Sequence, residues 1–264
     1  MRTQRSFPKK PASHAKTSWE PVAEWYGRYM SLGGTLQKDV VFPNTLRLLE
    51  PRVNGRYLDI ACGEGTFSRQ LALQANVQVT GLDVAESLIA QAKKLAPPGA
   101  NYLVADGADF FKLLSPTSFD GATCILAIQN IEFFEKVFVS AATVMKPGAP
   151  FLLVMNHPAF RQPRQSGWGW DEGRKLQYRR IDKYLSPYEA PIMAHPGSDP
   201  RIKTFSYHRP LQNYVSALVK NGFTITALEE WISNRESKPG ARAKAENTAR
   251  KEIPLFLALR ATKQ

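Results

Sequence analysis

The sequence predicts an α/β fold with a mostly parallel sheet, and three observations carry that expectation. Short apolar runs alternate with stretches at helical spacing from residue 53 to residue 155. A glycine turn, Gly63 and Gly65, follows the first apolar run directly, where a strand hands over to a helix. Two more apolar runs, 223–233 and 253–260, come late and are joined by a wide connection, as a closing antiparallel pair would be.

Taken in order, residues 1–17 are polar, basic and proline-containing, and they read as a flexible arm. Trp19, Val22, Trp25, Tyr26 and Tyr29 give 19–30 the look of a short amphipathic helix, broken by Gly33-Gly34. A second helix is expected over 36–49, stopping before Pro51. Residues 57–60 form the first strand, and 68–74 continue at helical spacing with Phe67, Leu71 and Leu73 as the apolar members. The run 77–82 ends on Asp83 and is followed by a helix over 85–95, closed by Pro97-Pro98-Gly99. Strand 101–105 ends at Asp106-Gly107, strand 119–127 is led by Asp120, and helix 131–145 stops at Lys146-Pro147-Gly148. Residues 149–155 make the fifth strand.

Beyond it the period stops. Residues 156–209 are proline-rich, with Gly167-Trp168-Gly169-Trp170 and Tyr178-Arg179-Arg180 standing out, and they read as an inserted cap. A helix over 211–219 ends at Asn221-Gly222; strand 223–233, the basic, Ala-rich stretch 234–252 and strand 253–260 follow. The expected organisation is an arm (1–17) and one domain (18–264), divided into N-terminal helices (18–52), a cofactor half (53–155), a cap (156–209) and closing elements (210–264).

With 264 residues and 43% hydrophobic content, one sizeable core can form. No apolar run approaches a membrane span, and the N-terminus has no apolar signal-peptide core. The two cysteines, Cys62 and Cys124, sit inside or beside buried strands; they suit a reducing compartment, and a cytoplasmic location is expected. Four histidines and two scattered cysteines give no metal-ligand spacing, so no metal is expected. The net charge of +12 favours anionic partners in general, nucleic acid among them, although solvated basic surface explains it as well.

A strand, a glycine turn and a helix N-terminus form a cradle where backbone N–H groups face a ligand. A carboxylate at the tip of the second strand, Asp83, can take both hydroxyls of a ribose. Dinucleotide sites carry a third glycine where this chain has Ser68, and Asp59 would face a phosphate poorly. An acid there suits a ligand with a positive end, such as an amino-acid ammonium. The stretch Asp59…Gly63-x-Gly65 resembles motif I of the class I S-adenosylmethionine (SAM) methyltransferases. Asp83 matches the ribose-binding acid of that family, and the Lys-Pro-Gly break before the fifth strand is also similar.

The resemblance implies a Rossmann-like seven-stranded sheet, mostly parallel with an antiparallel closing strand, helices on both faces and a cap after strand five. It implies SAM as cofactor and gives Asp106 the adenine amino group. Tyr26, on a helix over the cofactor, would touch the methionine end. Ala61, Val84, Gly107 and Ala127 complete the expected cofactor-binding set. Within the family the chain is most similar to the small-molecule branch that includes quinone C-methyltransferases. The Asn/Asp-Pro-Pro-Tyr/Phe tetrapeptide of adenine and glutamine N-methyltransferases and the Pro-Cys of cytosine C5 enzymes are both missing after strand four, where the chain has Ala127-Ile128-Gln129-Asn130.

Methyl transfer from a sulfonium chiefly needs near-attack geometry, with a general base where the acceptor carries a proton. His157, at the end of strand five, and His208, before the returning helix, are the candidates for that base; each has the alternative of bonding a loop carbonyl. His195 reads as a turn residue. Gln129 and Asn130 are placed to face the acceptor, and Trp168, Trp170 and Tyr178 to line a pocket for a flat one, or else to form the cap's own small core. Arg179, Arg180 and Arg209 are candidates for clamping a carboxylate or phosphate. Three readings follow: methylation of a small molecule, aromatic or anionic; methylation of RNA, suggested by the arm and by the basic residues of 234–251; and a SAM-binding module without catalysis, whose acceptor side would be closed.

Overall fold

A computed structural model describes residues 19–193 and 203–264. The expected basic arm and His195 lie outside the described residues. After a single 3-10 turn, helix α1 (Ala23–Ser31) leads to a π-helical turn (Gln37–Val41) that runs directly into α2 (Phe42–Leu49). The expected second helix is therefore two segments, and the π turn brings Gln37 to the site described below. The alternating portion follows as β1 (Arg56–Ile60), α3 (Thr66–Ala75), β2 (Gln78–Asp83), α4 (Glu86–Lys94), β3 (Ala100–Val104), β4 (Gly121–Ile125), α5 (Phe134–Val144) and β5 (Pro150–Asn156). Two hairpins come next, β6 (Ser166–Asp171) with β7 (Leu176–Ile181) and β8 (Tyr188–Met193) with β9 (Lys203–His208). The chain closes with α6 (Leu211–Lys220), β10 (Phe223–Trp231), α7 (Ala243–Glu252) and β11 (Phe256–Lys263).

Seven strands form one sheet in the order β3-β2-β1-β4-β5-β11-β10. All are parallel except β11, which runs antiparallel to both β5 and β10. Side chains alternate across the sheet, and β5 shows why this run has no polar face. Phe151, Leu153 and Met155 enter one core with Phe138 of α5 and Tyr214 and Leu218 of α6. Leu152 and Val154 enter the other with Phe42 of α2 and Phe67 and Leu71 of α3. Both cores are apolar because both faces are covered.

Three sequence expectations are refined here. The fourth strand stops at Ile125 because Leu126 takes a left-handed backbone, φ 54, and a 3-10 turn over Ile128–Asn130 follows; α5 therefore starts late. The cap is not aperiodic but holds two hairpins. The basic stretch before the last strand contains α7, which packs on β7.

Candidate functional site

The site is built at the carboxyl ends of β1, β2, β4 and β5, where open α/β sheets bind their ligands. After β1 the chain turns through Ala61, φ 56, and Gly63, φ 59, to Gly65, φ 80, which caps α3. Left-handed backbone at Ala61 and Leu126 costs about 1–2 kcal/mol each, and both residues line the same cavity. A Cβ on Gly65 would stand 2.6 Å from the Tyr102 ring, so only glycine lets the loop lie against β3.

Asp83 ties this loop to the next helix. The Gly63 N–H donates to Oδ2 at 2.9 Å, and the Ala85 N–H donates to Oδ1 at 2.9 Å. Each carboxylate oxygen keeps a further lone pair for a hydroxyl donor. Burial raises the Asp83 pKa, and the backbone N–H bonds offset part of that rise. Asp59 is more enclosed, 2% exposed: the Ser68 hydroxyl donates to it at 2.6 Å and the Thr123 hydroxyl at 2.9 Å. Burial pushes its pKa up to about 6 against those two bonds. The residue braces β1, β4 and α3, and it also borders a small recess with Tyr26 and Ala61. Glu64, between the two glycines, is held in an ion pair by Arg69 at 2.6 Å.

A cavity of about 450 Å³ opens over these groups. That volume lies in the range of small-molecule and cofactor sites. Tyr26, Ala61, Asp83 and Ala127 of the expected cofactor set line it, with Leu88 and Trp19 beside them. Free lone pairs on a buried carboxylate, a glycine loop and an apolar wall fit a nucleoside, so the residues present suit SAM. Gly63 and Gly65 form the loop behind the cavity. Val84 is exposed, and Asp106 is an exposed loop residue whose Oδ1 accepts from the Ala108 N–H at 2.8 Å, with Gly107 beside it.

On the acceptor side, Gln129 lines the cavity as expected, its Nε2 donating to the Leu126 carbonyl at 2.5 Å. Neither candidate base does. His157 has both ring nitrogens engaged: Nε2 lies 2.7 Å from Glu230, and Nδ1 accepts from the Ala159 and Phe160 N–H groups at 3.2 and 3.3 Å. His208 donates from Nε2 to the Tyr184 carbonyl at 2.6 Å and packs on Tyr188. Burial lowers the pKa of both histidines, against Glu230 in one case and the Tyr184 carbonyl in the other.

Trp168, Trp170 and Tyr178 also stand away from the cavity. They lie on the β6–β7 hairpin, where Gly169 pairs with Tyr178 and leaves room for its ring. Trp168 lies under the Arg179 guanidinium at 5.2 Å and Trp170 under that of Arg242 at 4.5 Å. Trp168 and Tyr178 thus pack within the hairpin itself, and Trp170 meets the residue that caps α7. Arg179 donates to the Phe160 carbonyl, Arg180 pairs with Asp182, and Arg209 donates to the Ile131 and Glu132 carbonyls. Arg209 is thus a strap between the cap and the loop before α5. Cavity-lining residues that sequence reasoning missed include Tyr29, Gln37, Asn156, Arg161, Ser206 and Phe256. Asn156, at the end of the fifth strand, was the one with a positional signal.

Comparison with known proteins agrees with this geometry. Residues 58–153 match the family model described as a methyltransferase domain. A demethylmenaquinone methyltransferase of Desulfitobacterium hafniense is 27% identical over 172 residues, covering 61% of this chain and 66% of that protein. An O-methyltransferase, cnsE, of Penicillium expansum is 28% identical over 123 residues, 44% of each chain. The chain thus matches less than two thirds of the length of either curated relative. A SAM-dependent methyltransferase of Mesorhizobium loti superposes with a TM-score of 0.67 at 27% identity, covering 87% of this chain and 99% of that one.

Proposed function

From the premise that this chain carries a SAM-dependent methyltransferase domain, we propose that it methylates a small, flat molecule held in the cavity beneath α1. The observation that carries the reading is the cavity itself, which continues from Asp83 past Gln129 to an acceptor side walled by Tyr29, Leu36, Ile192 and Phe256. A module that only bound the cofactor would have that side closed. When bound, SAM supplies a methyl group already activated on a sulfonium. The chain's part is to hold the two reactants in line, which contributes up to about 7–11 kcal/mol in the best cases. Tyr26 remains a neutral phenol there, because burial and then the Glu64 and Asp83 charges raise its pKa.

No histidine lines the cavity among the described residues. The reading therefore favours an acceptor that brings its own nucleophilic atom, such as an already ionised hydroxyl or an already formed, stabilised carbanion. The curated relatives carry quinone and O-methyl chemistry in their names, which supports a small-molecule acceptor. An RNA acceptor has no such support from the relatives' names, although five of the six basic residues of the 234–251 stretch (Arg235, Lys238, Arg242, Lys244 and Lys251) are exposed, two of them with partners on the protein. Arg242 pairs with Glu172, and Arg235 donates to the Gly34 carbonyl. The free thiols of Cys62 and Cys124 fit a reducing compartment. The test is a methyl-labelled donor offered with fractionated cell extract. Label should enter the low-molecular-weight fraction and survive nuclease treatment; label confined to RNA would overturn the acceptor class.

A further inference from the structure

The cavity's lining contains a single cation among the described residues, the Arg161 guanidinium. It lies over the face of Phe256, 5.1 Å from the ring centroid, and makes no ion pair or side-chain hydrogen bond among the described residues. Four other arginines around the cap are committed: Arg179 to the Phe160 carbonyl and the Ser166 hydroxyl, Arg180 to Asp182, Arg209 to two carbonyls, Arg242 to Glu172; Arg164 and Arg174 do not line the cavity. A partly buried charge without an anion is costly, and an anionic ligand placed beside it would offset that cost. Arg161 stays charged, since guanidinium does not lose its proton in proteins. Burial and then the neighbouring Arg179 charge weaken its hold on that proton, and the charge of an anion beside it would offset both.

Asn156 stands beside it. The β5–β11 register sets Asn156 opposite Phe256, which places this carboxamide next to the ring that carries Arg161. Its side chain also lines the cavity and makes no hydrogen bond among the described residues. A planar fork of donors with an adjacent amide N–H matches the two oxygens of a carboxylate.

We propose that Arg161 and Asn156 receive a carboxylate on the acceptor and so select anionic over neutral molecules of the same shape. This deepens the small-molecule reading, on which it rests, by naming the group that the acceptor side recognises.

The test uses the full chain saturated with S-adenosylhomocysteine and two isosteric probes, 2-naphthoate and 2-naphthamide, in calorimetry. The acid should bind about tenfold more tightly than the amide, or better, as expected for a charge-assisted pair. Arg161→Gln should abolish that preference while S-adenosylhomocysteine affinity holds. Arg161→Lys, which keeps the charge but not the fork, should retain a reduced preference. Equal binding of the two probes, no binding of the acid, or a preference that survives Arg161→Gln overturns the proposal. A wild-type chain that takes up no S-adenosylhomocysteine brings down the methyl-transfer reading instead, which separates the two failures.

Discussion

The cofactor wall and the cap use polar groups in contrasting ways. On the wall, Asp83 and Asp59 are held by backbone N–H groups and hydroxyls of directly adjoining elements: the loop after β1 and the start of α4 for Asp83, α3 and β4 for Asp59. In the cap, contacts reach across the molecule: Arg209 to the loop before α5, His157 to β10, Arg242 to the β6–β7 turn. The wall is a fixed device that any acceptor chemistry can share. The cap is tied down by separable straps, each free to change without disturbing the cradle, and this is where selectivity can be altered at least cost to the fold.

The sharpest way to break that comparison is at Asp83. Asp83→Ala is expected to weaken S-adenosylhomocysteine binding by about 100-fold or more, since it removes a charged acceptor and unties the loop. Calorimetry reads this directly, and an unchanged Kd would remove the ribose role. Next comes the paired substitution of two glycines. Gly65→Ala should cost roughly 2–4 kcal/mol, from the clash with Tyr102 and the left-handed backbone. Gly167→Ala, with open space around it, should stay within about 0.5 kcal/mol. Thermal unfolding distinguishes them, and equal shifts would erase the contrast between wall and cap.

A third, smaller effect is a pH dependence of stability. Asp59 has a folded pKa of about 6, above the ordinary carboxylate range, so the folded state binds its proton more tightly than the unfolded chain does. Stability from this group is therefore present at low pH and lost as pH rises from about 4 to 6, by roughly 2–3 kcal/mol. The lowered histidines act in the opposite sense, losing stability as pH falls below their ordinary value. Asp59→Asn should remove the first component and leave the second; unfolding curves for both proteins across the mildly acidic to neutral range test this. The smallest effect is expected at His208, whose bond to Tyr184 holds the cap. His208→Ala should cost about 1 kcal/mol of stability and leave cofactor affinity intact. Turnover slowed by two orders of magnitude, with the melting temperature unmoved, would instead return this histidine to the chemistry.

The legibility of the sequence divides along the same line. The strand–glycine–helix unit, Asp83 and the order of elements through β5 could be read because local chain geometry makes them. The hairpins of the cap could not, since β6 has glycine at alternate positions and β7 is mostly exposed, leaving no apolar period to detect. Arg161 escaped notice for a related reason. Nothing near it in sequence separates it from Arg179 or Arg180; only the pairing of β5 with β11 sets it over Phe256 at the cavity. The aromatic run Trp168 to Tyr178 drew attention by composition and proved to serve the hairpin.

Trp19 offers a spectroscopic consequence. It lines the cavity and meets Tyr26 edge-on at 6.1 Å, while Trp25, Trp168, Trp170 and Trp231 stand elsewhere. Occupation of the nucleoside end will alter the emission of one indole against four constant ones. A Trp19→Phe protein provides the blank, giving a fluorescence titration of cofactor uptake that needs neither label nor acceptor.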